Sequence, residues 1–517
     1  MTGTSLWALA AAEPGRLAIV SDGGPSVTYG ELAALANRVA NGLTALGLRT
    51  GDRVALLMSN RIEFVAVQLA THQTGLVLAP LNRHLTAAES SYLLQDADAA
   101  VLITDAAVGA TARQAADEAG LPVAARFAVD PVDGFKPFAR LLGPADRPAQ
   151  RTAGSVLLYS SGTTGRPKGI ERPLSGLAPE AELDLLTMAG LGLGYTPDGV
   201  FLSLAPLYHS APNQHTLIAL QLGQTVVLSS GFEPGHALNL IREYQVTDMF
   251  LVPTMMHRLV TAPAATRAAA DTSSVRNILH AGAICPVATK RAMIDWLGPI
   301  LTEYYGATES GAVTQLDSAQ WLAHPGSVGR AHPGMDVKVF DENGQEAPTG
   351  VPGLLHLKAP RMFRYRKDPG KTQRSHHDGY FIPGDVGYLD EDGWLFLCDR
   401  RTDMIISGGV NVYPAEIEAE LLQHDAVADA VVIGMPDPEW GQQVVALAEL
   451  RPAWHPGPDL AEEIRAHCRR RLARFKVPRT VEFVDRIPRT PTGKVNRGQV
   501  REAHLARGGQ PAAISQQ

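Results

Sequence analysis

The segment Tyr159–Ile170 restricts the fold and chemistry of this chain more than any other stretch of its sequence. It follows a short apolar strand candidate, Val156–Tyr159, and combines hydroxyls, glycines and one lysine, Lys168. The glycines leave backbone N–H groups open to an oxyanion, the hydroxyls add donors, and the lysine adds a point charge. It differs from a Walker A loop, because Pro167 precedes the lysine and Gly169 follows it. The segment predicts a phosphate-binding loop after a strand, with a plain glycine-rich turn as the alternative.

Composition and charge exclude several functional classes. The 517 residues exceed what one hydrophobic core holds, so we expect at least two domains. The formal net charge of −7 is spread without long runs, which argues against nucleic acid as a partner. The apolar run Leu6–Ala12 is short and lacks a basic flank, so no targeting or membrane-spanning segment is predicted. The cysteines are far apart and lack metal spacing, which indicates reduced thiols and a cytoplasmic location: Cys285, Cys398 and Cys468.

The chain up to about residue 296 alternates apolar runs with amphipathic helices, which is typical of helix-covered parallel sheets. Apolar residues of Leu32–Leu46 fall on one helical face that ends at Gly47, and Ala237–Tyr244 is a second amphipathic run. Residues 326–398 predict a small antiparallel unit, and residues 403–501 predict an α+β segment with a helix at Leu460–Leu472 and strands near Val431 and Val444. The strand candidates of the first part are Val54–Met58, Val156–Tyr159, Val200–Leu204, Thr225–Leu228, Met249–Val252 and Asn277–Leu279.

The complete segment Tyr159–Ile170 closely resembles the phosphate loop of the adenylate-forming superfamily, which includes acyl-CoA synthetases, luciferases and peptide-synthetase adenylation domains. Further motifs similar to those of the family follow in the expected order: Ala281–Ile284, Tyr304–Glu309, Asp385, Arg400 and Lys494. The resemblance, together with the α/β pattern, implies a large N-terminal domain at residues 1–399, made of helix-covered sheets and a small β unit. A hinge at 400–402 and a small mobile α+β C-terminal domain at 403–517 follow it.

The same resemblance implies an ATP site. Tyr305 would flank adenine, Thr308 would donate to the α-phosphate, and Glu309 would hold Mg²⁺ as a hard oxygen ligand. Asp385 resembles the aspartate that accepts both ribose hydroxyls, and Arg400 matches the arginine that also reaches the ribose. The residues implied to bind ATP are Ser160, Ser161, Gly162, Thr163, Thr164, Gly165, Lys168, Gly282, Ala283, Ile284, Tyr305, Gly306, Asp385 and Arg400.

Two half-reactions follow from the resemblance. Lys494 matches the mobile catalytic lysine, and with Thr308 it would neutralise charge as a carboxylate attacks the α-phosphorus. His209 matches a histidine at the junction of acyl pocket and thiol tunnel, where it acts as a gate or wall. A thiol attacks an acyl-adenylate with little help from a base. The segment resembling the pantetheine tunnel wall is Ser407, Gly408 and Gly409.

These patterns predict an ATP- and Mg²⁺-dependent acid:CoA ligase, with a small carboxylic acid and CoA as partners and a homodimer left open. The predicted acid is mainly apolar, because the candidate pocket contains no counter-charge; medium-chain, aromatic and polycyclic acids stay open. The candidate acyl pocket consists of His209, Ser210, Phe250, Tyr304, Gly306 and Gly311, with Ala312 beside them.

The alternatives differ in acceptor or acid. An amino-acid adenylation enzyme usually carries a pocket aspartate where this chain has His209–Ala211. An acyl-AMP ligase that loads carrier proteins typically has an insertion within Gly353–Asp385, and none is evident. A luciferase-like monooxygenase stays open on motifs alone. A catalytically dead scaffold is disfavoured, since Lys168, Glu309 and Lys494 are all present.

Two residues depart from the family pattern. Thr402 stands where the family usually has Asp or Lys as the hinge, and a β-branched residue restricts its own backbone. A hinge that holds one orientation would favour one half-reaction, in the extreme thioester formation from a supplied acyl-adenylate. Glu171, just after the phosphate loop, is expected to add a like charge near ATP.

Overall fold

The computed structural model describes residues 5–160, 167–360, 363–490 and 493–506. Within these ranges the chain forms helix-covered sheets followed by a smaller α+β region, which confirms the predicted fold class. The predicted phosphate-loop residues Ser161, Gly162, Thr163, Thr164 and Gly165 lie outside the described residues.

Two large sheets form most of the structure. The nine-stranded sheet contains, in spatial order, Arg330–Ala331, Gly311–Asp317, Leu301–Ala307, Asn277–His280, Asp248–Leu251, Val200–Ser203, Thr225–Leu228, Leu17–Ser21 and Ser26–Thr28. The six-stranded parallel sheet contains Lys136–Pro137, Arg126–Ala128, Ala99–Thr104, Arg53–Leu57, Val77–Pro80 and Ser155–Val156. The inner strands of the larger sheet are also parallel, so their carboxyl ends meet at one edge, where such sheets bind ligands. The strands predicted between residues 200 and 279 are confirmed to within a residue at each end.

Helices cover both sheets. The described helices of this part are Leu6–Ala12, Tyr29–Ala45, Ile62–Gln73, Ala87–Ala97, Gly109–Glu118, Pro179–Gly192, Ser210–Gln221, Pro234–Tyr244, Pro253–Val260, Ala264–Ala268, Val287–Leu297, Ser318–Ala323 and Pro369–Arg374. Tyr29–Ala45 begins with a capping box, in which Thr28 and Glu31 satisfy each other's backbone N–H groups. It ends before Gly47, whose φ of +90° lies in the left-handed region that favours glycine. The helix predicted there is confirmed.

The strand predicted at Val156–Tyr159 is divided in the structure. Ser155–Val156 pairs with Val77–Pro80 in the six-stranded sheet, whereas Leu158–Ser160 pairs with Lys168–Glu171 in a separate three-stranded sheet. The third strand of that sheet is Arg364–Tyr365. The prediction of one strand was therefore wrong, because an apolar run alone does not indicate where the chain passes from one sheet to the next.

The small antiparallel unit predicted between residues 326 and 398 is confirmed. Its strands are Asp336–Phe340, Gly353–Lys358, His376–His377, Tyr380–Phe381, Asp385–Leu389 and Leu395–Arg400, all paired antiparallel. This sheet places Asp385 directly opposite Arg400, which matters for the site below.

The C-terminal region has its own sheet and core. Its strands are Ile405–Ser407, Val410–Val412, Val427–Asp437, Gly441–Leu450 and Thr480–Val484, and its helices are Pro414–Leu421, Pro458–Arg471 and Arg497–Ala506. Buried apolar residues of these elements form one cluster that includes Ile417, Val432 and Ile464. The predicted strands near residues 431 and 444 and the helix near 460–472 are confirmed. The domain division at residues 400–402 stays a prediction.

The C-terminal region rests on the larger part of the chain. His257 Nε2 lies 3.2 Å from the Ala428 carbonyl oxygen, and the backbone of Gly493 packs tightly against Thr254. These contacts enclose a cleft between the two parts. In the part of the chain that the structure describes, we find no helix whose length and apolar character would let it cross a bilayer.

Candidate active site

A cleft of about 2240 Å³ lies at the carboxyl ends of the parallel strands and beneath the C-terminal region. Most of the described candidate residues line it: His209, Ser210, Phe250, Gly282, Ala283, Ile284, Tyr304, Tyr305, Gly306, Thr308, Glu309, Gly311, Asp385, Arg400, Thr402, Lys494 and, at one end, Ser160. Residues far apart in the sequence therefore meet at one site. Their roles stay predictions that rest on this placement.

Two glycines of the predicted adenine site have a physical reason to be glycine. Gly282 has a φ of +95°, in the left-handed region that side chains rarely adopt. Gly306 lies at a register shift between the strands Leu301–Ala307 and Gly311–Asp317. A Cβ atom there would lie 1.9 Å from the Gly311 carbonyl oxygen, so no larger residue fits. Both positions leave the cleft wall without a side chain, as a base lying against the backbone would require.

Tyr305, Asp385 and Arg400 form one hydrogen-bonded set at the predicted ribose site. The Tyr305 hydroxyl donates to Asp385 Oδ2 at 2.7 Å, and Arg400 Nε lies 3.3 Å from Asp385 Oδ1. Burial and the Asp385 carboxylate both raise the pKa of the Tyr305 hydroxyl, so it stays a neutral donor. The carboxylate is thus held in position by a hydroxyl and a guanidinium, with capacity to accept further hydrogen bonds.

The predicted metal ligand, Glu309, is held from two sides. The Tyr365 hydroxyl donates to Glu309 Oε1 at 2.9 Å, and Arg172 donates to the carbonyl oxygens of Thr308 and Glu309. Lys371 Nζ lies 4.2 Å from the centroid of the Tyr365 ring. None of these three supporting residues was predicted from the sequence, because side-chain contacts to a turn leave no motif.

The possible metal ligands of the cleft suit Mg²⁺ better than a metal that is held entirely by protein side chains. Among the described residues, no group of three or more His, Cys, Asp or Glu side chains is arranged to hold a metal ion. A single carboxylate at the cleft wall, completed by phosphate oxygens and water, is the arrangement Mg²⁺ favours in nucleotide enzymes. Glu309, which is only 8% exposed and faces the cleft, would supply that carboxylate.

Lys168 and Glu171 are placed differently from expectation. Lys168 Nζ forms an ion pair with Asp368 Oδ2 at 3.0 Å rather than lining the main cleft. Glu171 does not add a free negative charge near ATP, so this prediction was wrong. Its carboxylate forms ion pairs at 2.8–3.2 Å with three arginines: Arg53, Arg364 and Arg366. Burial raises the pKa of the Glu171 carboxyl, but these arginines outweigh burial and the pKa is lowered.

Lys494 reaches the cleft on a tight turn. Thr490 N donates to the Lys494 carbonyl oxygen at 2.8 Å, and Arg489 Nη1 donates to the Gly493 carbonyl oxygen at the same distance. Gly493 has a φ of +76°, and a Cβ there would lie 1.8 Å from Thr254 Oγ1. Desolvation by the surrounding cleft walls and, to a smaller extent, nearby Arg400 lower the pKa of the Lys494 ammonium, and this effect is screened because the side chain is still exposed to solvent. The turn therefore aims one cation at the acidic side of the cleft.

His209 is held beside the cleft by a network around its loop. Asn60 Oδ1 accepts from Leu207 N at 2.9 Å, and Asn213 Nδ2 donates to the Leu207 carbonyl oxygen at 3.0 Å. Burial, with a smaller effect of Lys494, lowers the pKa of His209 to about 3. The imidazole is therefore neutral at physiological pH, which suits a wall or gate rather than a cation.

The acyl end of the cleft has aromatic walls and a polar relay that the sequence analysis missed. The His215 ring stacks on Phe250 with centroids 4.9 Å apart. His215 Nε2 lies 3.0 Å from the Tyr304 hydroxyl, and His215 Nδ1 lies 3.0 Å from the Tyr195 hydroxyl. Burial lowers the pKa of His215 to about 3, so the relay is uncharged. The helical spacing of His215 from Ala211 was the only sequence signal that could have placed it in the pocket.

The predicted thiol-tunnel segment lies away from the cleft. Ser407, Gly408 and Gly409 do not line it, and Gly408 packs against the half-exposed ring of Trp440, where a Cβ would lie 2.6 Å from the ring. Thr402 is exposed, and its hydroxyl donates to Asp403 Oδ1 at 3.3 Å. The structure thus places Lys494, and not the paired glycines, at the cleft.

Comparisons with known proteins decide the family. The family model of the AMP-binding enzyme matches residues 6–365, and that of the AMP-binding enzyme C-terminal domain matches residues 416–494. The chain belongs to the AMP-binding enzyme family. This confirms the resemblance to the adenylate-forming superfamily, and the prediction that the chain is an enzyme of the AMP-forming acyl-CoA synthetase class is confirmed with it.

Similarity to members of this family covers nearly the whole chain. The chain is 37% identical to a feruloyl-CoA synthase of Amycolatopsis sp over 489 residues, which covers 93% of this chain and 95% of that protein. It is 33% identical to the fatty acid–[acyl-carrier-protein] ligase ScoC of Streptomyces coeruleorubidus, over 95% of this chain and 94% of that protein. The crystal structure of the anthranilate CoA ligase AuaEII with anthranoyl-AMP superimposes with a TM-score of 0.87 at 26% identity, covering 97% of both chains.

Proposed function

We propose that this enzyme activates a hydrophobic carboxylic acid with ATP and then transfers the acyl group to CoA. The observation that carries the proposal is that Lys494, Glu309 and Asp385 face one cleft whose far end is aromatic and uncharged. A nucleotide and an apolar acid can therefore meet beside one cation. The family matches over residues 6–365 and 416–494 support the same activity.

In the first half-reaction a carboxylate oxygen of the acid attacks the α-phosphorus of ATP, the bond to the β-phosphate breaks, and pyrophosphate leaves. Two anions approach each other in this step, so positive charge near the reacting oxygens lowers the barrier. Lys494 is proposed to supply that charge, and the Thr308 hydroxyl to donate to the α-phosphate. Mg²⁺ held by Glu309 would supply further neutralisation of the phosphate charge when bound.

In the second half-reaction the thiol sulfur of CoA attacks the acyl carbon, the bond to the AMP oxygen breaks, and AMP leaves while the thiol proton passes to solvent. The neutral His209 would form part of the wall between acid and thiol. Gly408 and Gly409 are outside the cleft in this arrangement, so thioester formation is proposed to require the C-terminal region to turn about residues 400–402.

The acyl group could pass to CoA or to an acyl-carrier protein, since ScoC, at 33% identity, is named as a ligase for acyl-carrier protein. A carrier protein presents the same pantetheine thiol as CoA, and the chemistry of the cleft does not separate them. We propose free CoA because the sequence from Gly353 to Asp385 shows no evident insertion of the kind that the resemblance implies for a carrier-specific ligase.

Isotope exchange between ATP and pyrophosphate, in the presence of an accepted acid, tests the first half-reaction. Lys494→Ala should slow exchange by roughly 10²–10³, as removal of one preorganised donor does in other enzymes. Lys338→Ala is the matched control, because Lys338 forms an exposed ion pair with Glu346 and touches no part of the cleft. Near wild-type exchange in Lys494→Ala would refute the mechanism.

A further inference from the structure

The hydrogen-bonded relay Tyr195–His215–Tyr304 determines whether a tyrosine hydroxyl hydrogen faces the acyl end of the cleft. A neutral imidazole carries one N–H and one bare nitrogen, so the two tyrosines cannot play the same role toward it. His215 is 3% exposed and is kept neutral by burial, so the doubly protonated ring is not a competing state near pH 7. Two tautomers remain, and they differ in which tyrosine donates to the ring.

Burial decides between these tautomers. The Tyr195 side chain is 2% exposed, and within residues 5–160, 167–360, 363–490 and 493–506 its hydroxyl has His215 Nδ1 as its hydrogen-bond partner. If Nδ1 carried the proton, the Tyr195 hydroxyl hydrogen would be buried without an acceptor, which is costly. If Nδ1 is bare, Tyr195 donates to it, and the Tyr195 hydroxyl and both nitrogens of the imidazole have partners. The proton then sits on Nε2.

The consequence appears at the cleft. An Nε2–H group donates to the Tyr304 oxygen across the 3.0 Å contact, so among the described residues the hydroxyl hydrogen of Tyr304 has no acceptor. Tyr304 is only half-buried and lines the cleft, whereas Tyr195 does not. Burial also raises the pKa of Tyr304, so the hydroxyl keeps its hydrogen. That hydrogen can donate to a group that enters the pocket.

The neighbouring surface indicates the shape of that group. Phe250 and His215 stack with an interplanar angle of 19°, and Phe250 and Tyr304 have centroids 6.4 Å apart at an angle of 35°. These rings offer flat faces, which a planar ring fills better than a branched aliphatic chain does.

We propose that Tyr304, oriented by His215 and Tyr195, selects ring-bearing carboxylic acids that carry an oxygen acceptor on the ring, such as a hydroxyl or methoxy group. This inference rests on the proposed function and refines the predicted apolar acid to an oxygenated aromatic acid. Tyr304 would be a specificity residue, whereas His215 and Tyr195 act through it as positioning residues. An unsubstituted acid would leave the Tyr304 donor facing apolar carbon, which is unfavourable.

The test compares cinnamic acid with its ring-hydroxylated and ring-methoxylated derivatives, using pyrophosphate release to obtain kcat/KM. In the wild type the best oxygenated acid should exceed cinnamic acid by about tenfold or more, as expected for one neutral hydrogen bond. In Tyr304→Phe this ratio should fall to about one. The ratio is taken within one protein sample, so partial misfolding of a variant cancels.

Tyr305→Phe is the matched control. It removes a neighbouring tyrosine hydroxyl that bonds Asp385 at the predicted ribose site, so it should lower the rates for both acids alike and keep their ratio. A ratio that is unchanged in Tyr304→Phe, or a wild type that prefers cinnamic acid, would overturn the inference while leaving the ligase function intact.

A second readout does not depend on activity. Nitrogen-15 NMR of histidine-labelled enzyme, with the His215 signals identified by their loss in His215→Gln, should show the Nε2–H tautomer at neutral pH. The Nδ1–H tautomer would overturn the inference. If no acid released pyrophosphate, the proposed function would fail, and the tautomer measurement would still decide whether Tyr304 offers its hydrogen to the cleft.

Discussion

The ion pair between Lys290 and Glu303 joins the helix Val287–Leu297 to the strand Leu301–Ala307, which carries Tyr304 and Tyr305, and its removal tests how the site is supported. Lys290 Nζ lies 2.6 Å from Glu303 Oε2, with side chains 0% and 4% exposed. Removing one partner leaves a buried charge without compensation, so Lys290→Met and Glu303→Met should each lower the free energy of unfolding by about 3–5 kcal/mol. The double variant, which buries no charge, should be far less destabilised than the sum of the two.

The stability lost in Lys290→Met should depend on pH. Burial raises the pKa of Glu303, so in Lys290→Met the carboxyl can take up a proton and become neutral as the pH falls. The folded state then binds more protons than the unfolded state, and the stability lost in Lys290→Met should shrink toward pH 5.

Urea unfolding followed by tryptophan fluorescence is a suitable assay, because the Trp321 ring lies 5.1 Å from Lys290 Nζ. The four proteins of the cycle are measured at pH 5, 7 and 9. Single-variant losses below about 1 kcal/mol, or a double variant equal to the sum of the singles, would contradict the reasoning.

Two further predictions concern the hinge residue Thr402 and the buried His215. Thr402→Asp should speed thioester formation from supplied acyl-AMP more than it speeds pyrophosphate exchange. The reason is that a less restricted hinge residue lets the C-terminal region turn more easily away from the arrangement in which Lys494 lies in the cleft. Comparable wild-type rates for both steps, unchanged by the substitution, would contradict this prediction. His215 has a pKa of about 3 when folded against an ordinary value of 6.5, so the unfolded state binds the proton first and stability is lost as the pH falls below 6.5. Between pH 7 and pH 5 the loss attributable to His215 should be about 2 kcal/mol, measured as the difference in that loss between wild type and His215→Gln; an equal loss in both would contradict the burial argument.

The alternation of apolar runs and helices predicted the fold class, because parallel strands and their covering helices impose different periods on the sequence. The helix at Tyr29–Ala45 and the strands between residues 200 and 280 follow directly from it. The division of Val156–Tyr159 between two sheets did not, since strand pairing depends on partners distant in the sequence. Local pattern therefore predicted elements better than it predicted their arrangement.

The candidate site was predicted through motifs, and its supporting contacts were not. Gly306 carries a signal because no other residue fits against Gly311. Arg172, Tyr365 and His215 carry no such signal, because many residue types could occupy their positions until the fold brings them together. Glu171 was misread for the same reason, since its arginine partners come from distant strands.

The proposed activity is tested most directly by mass spectrometry of the products formed from an aromatic acid, ATP and CoA. The account predicts acyl-CoA, AMP and pyrophosphate in equal amounts, with acyl-AMP accumulating when CoA is left out. Formation of a thioester on an acyl-carrier protein but never on CoA, or better activation of leucine or phenylalanine than of any simple acid, would contradict it.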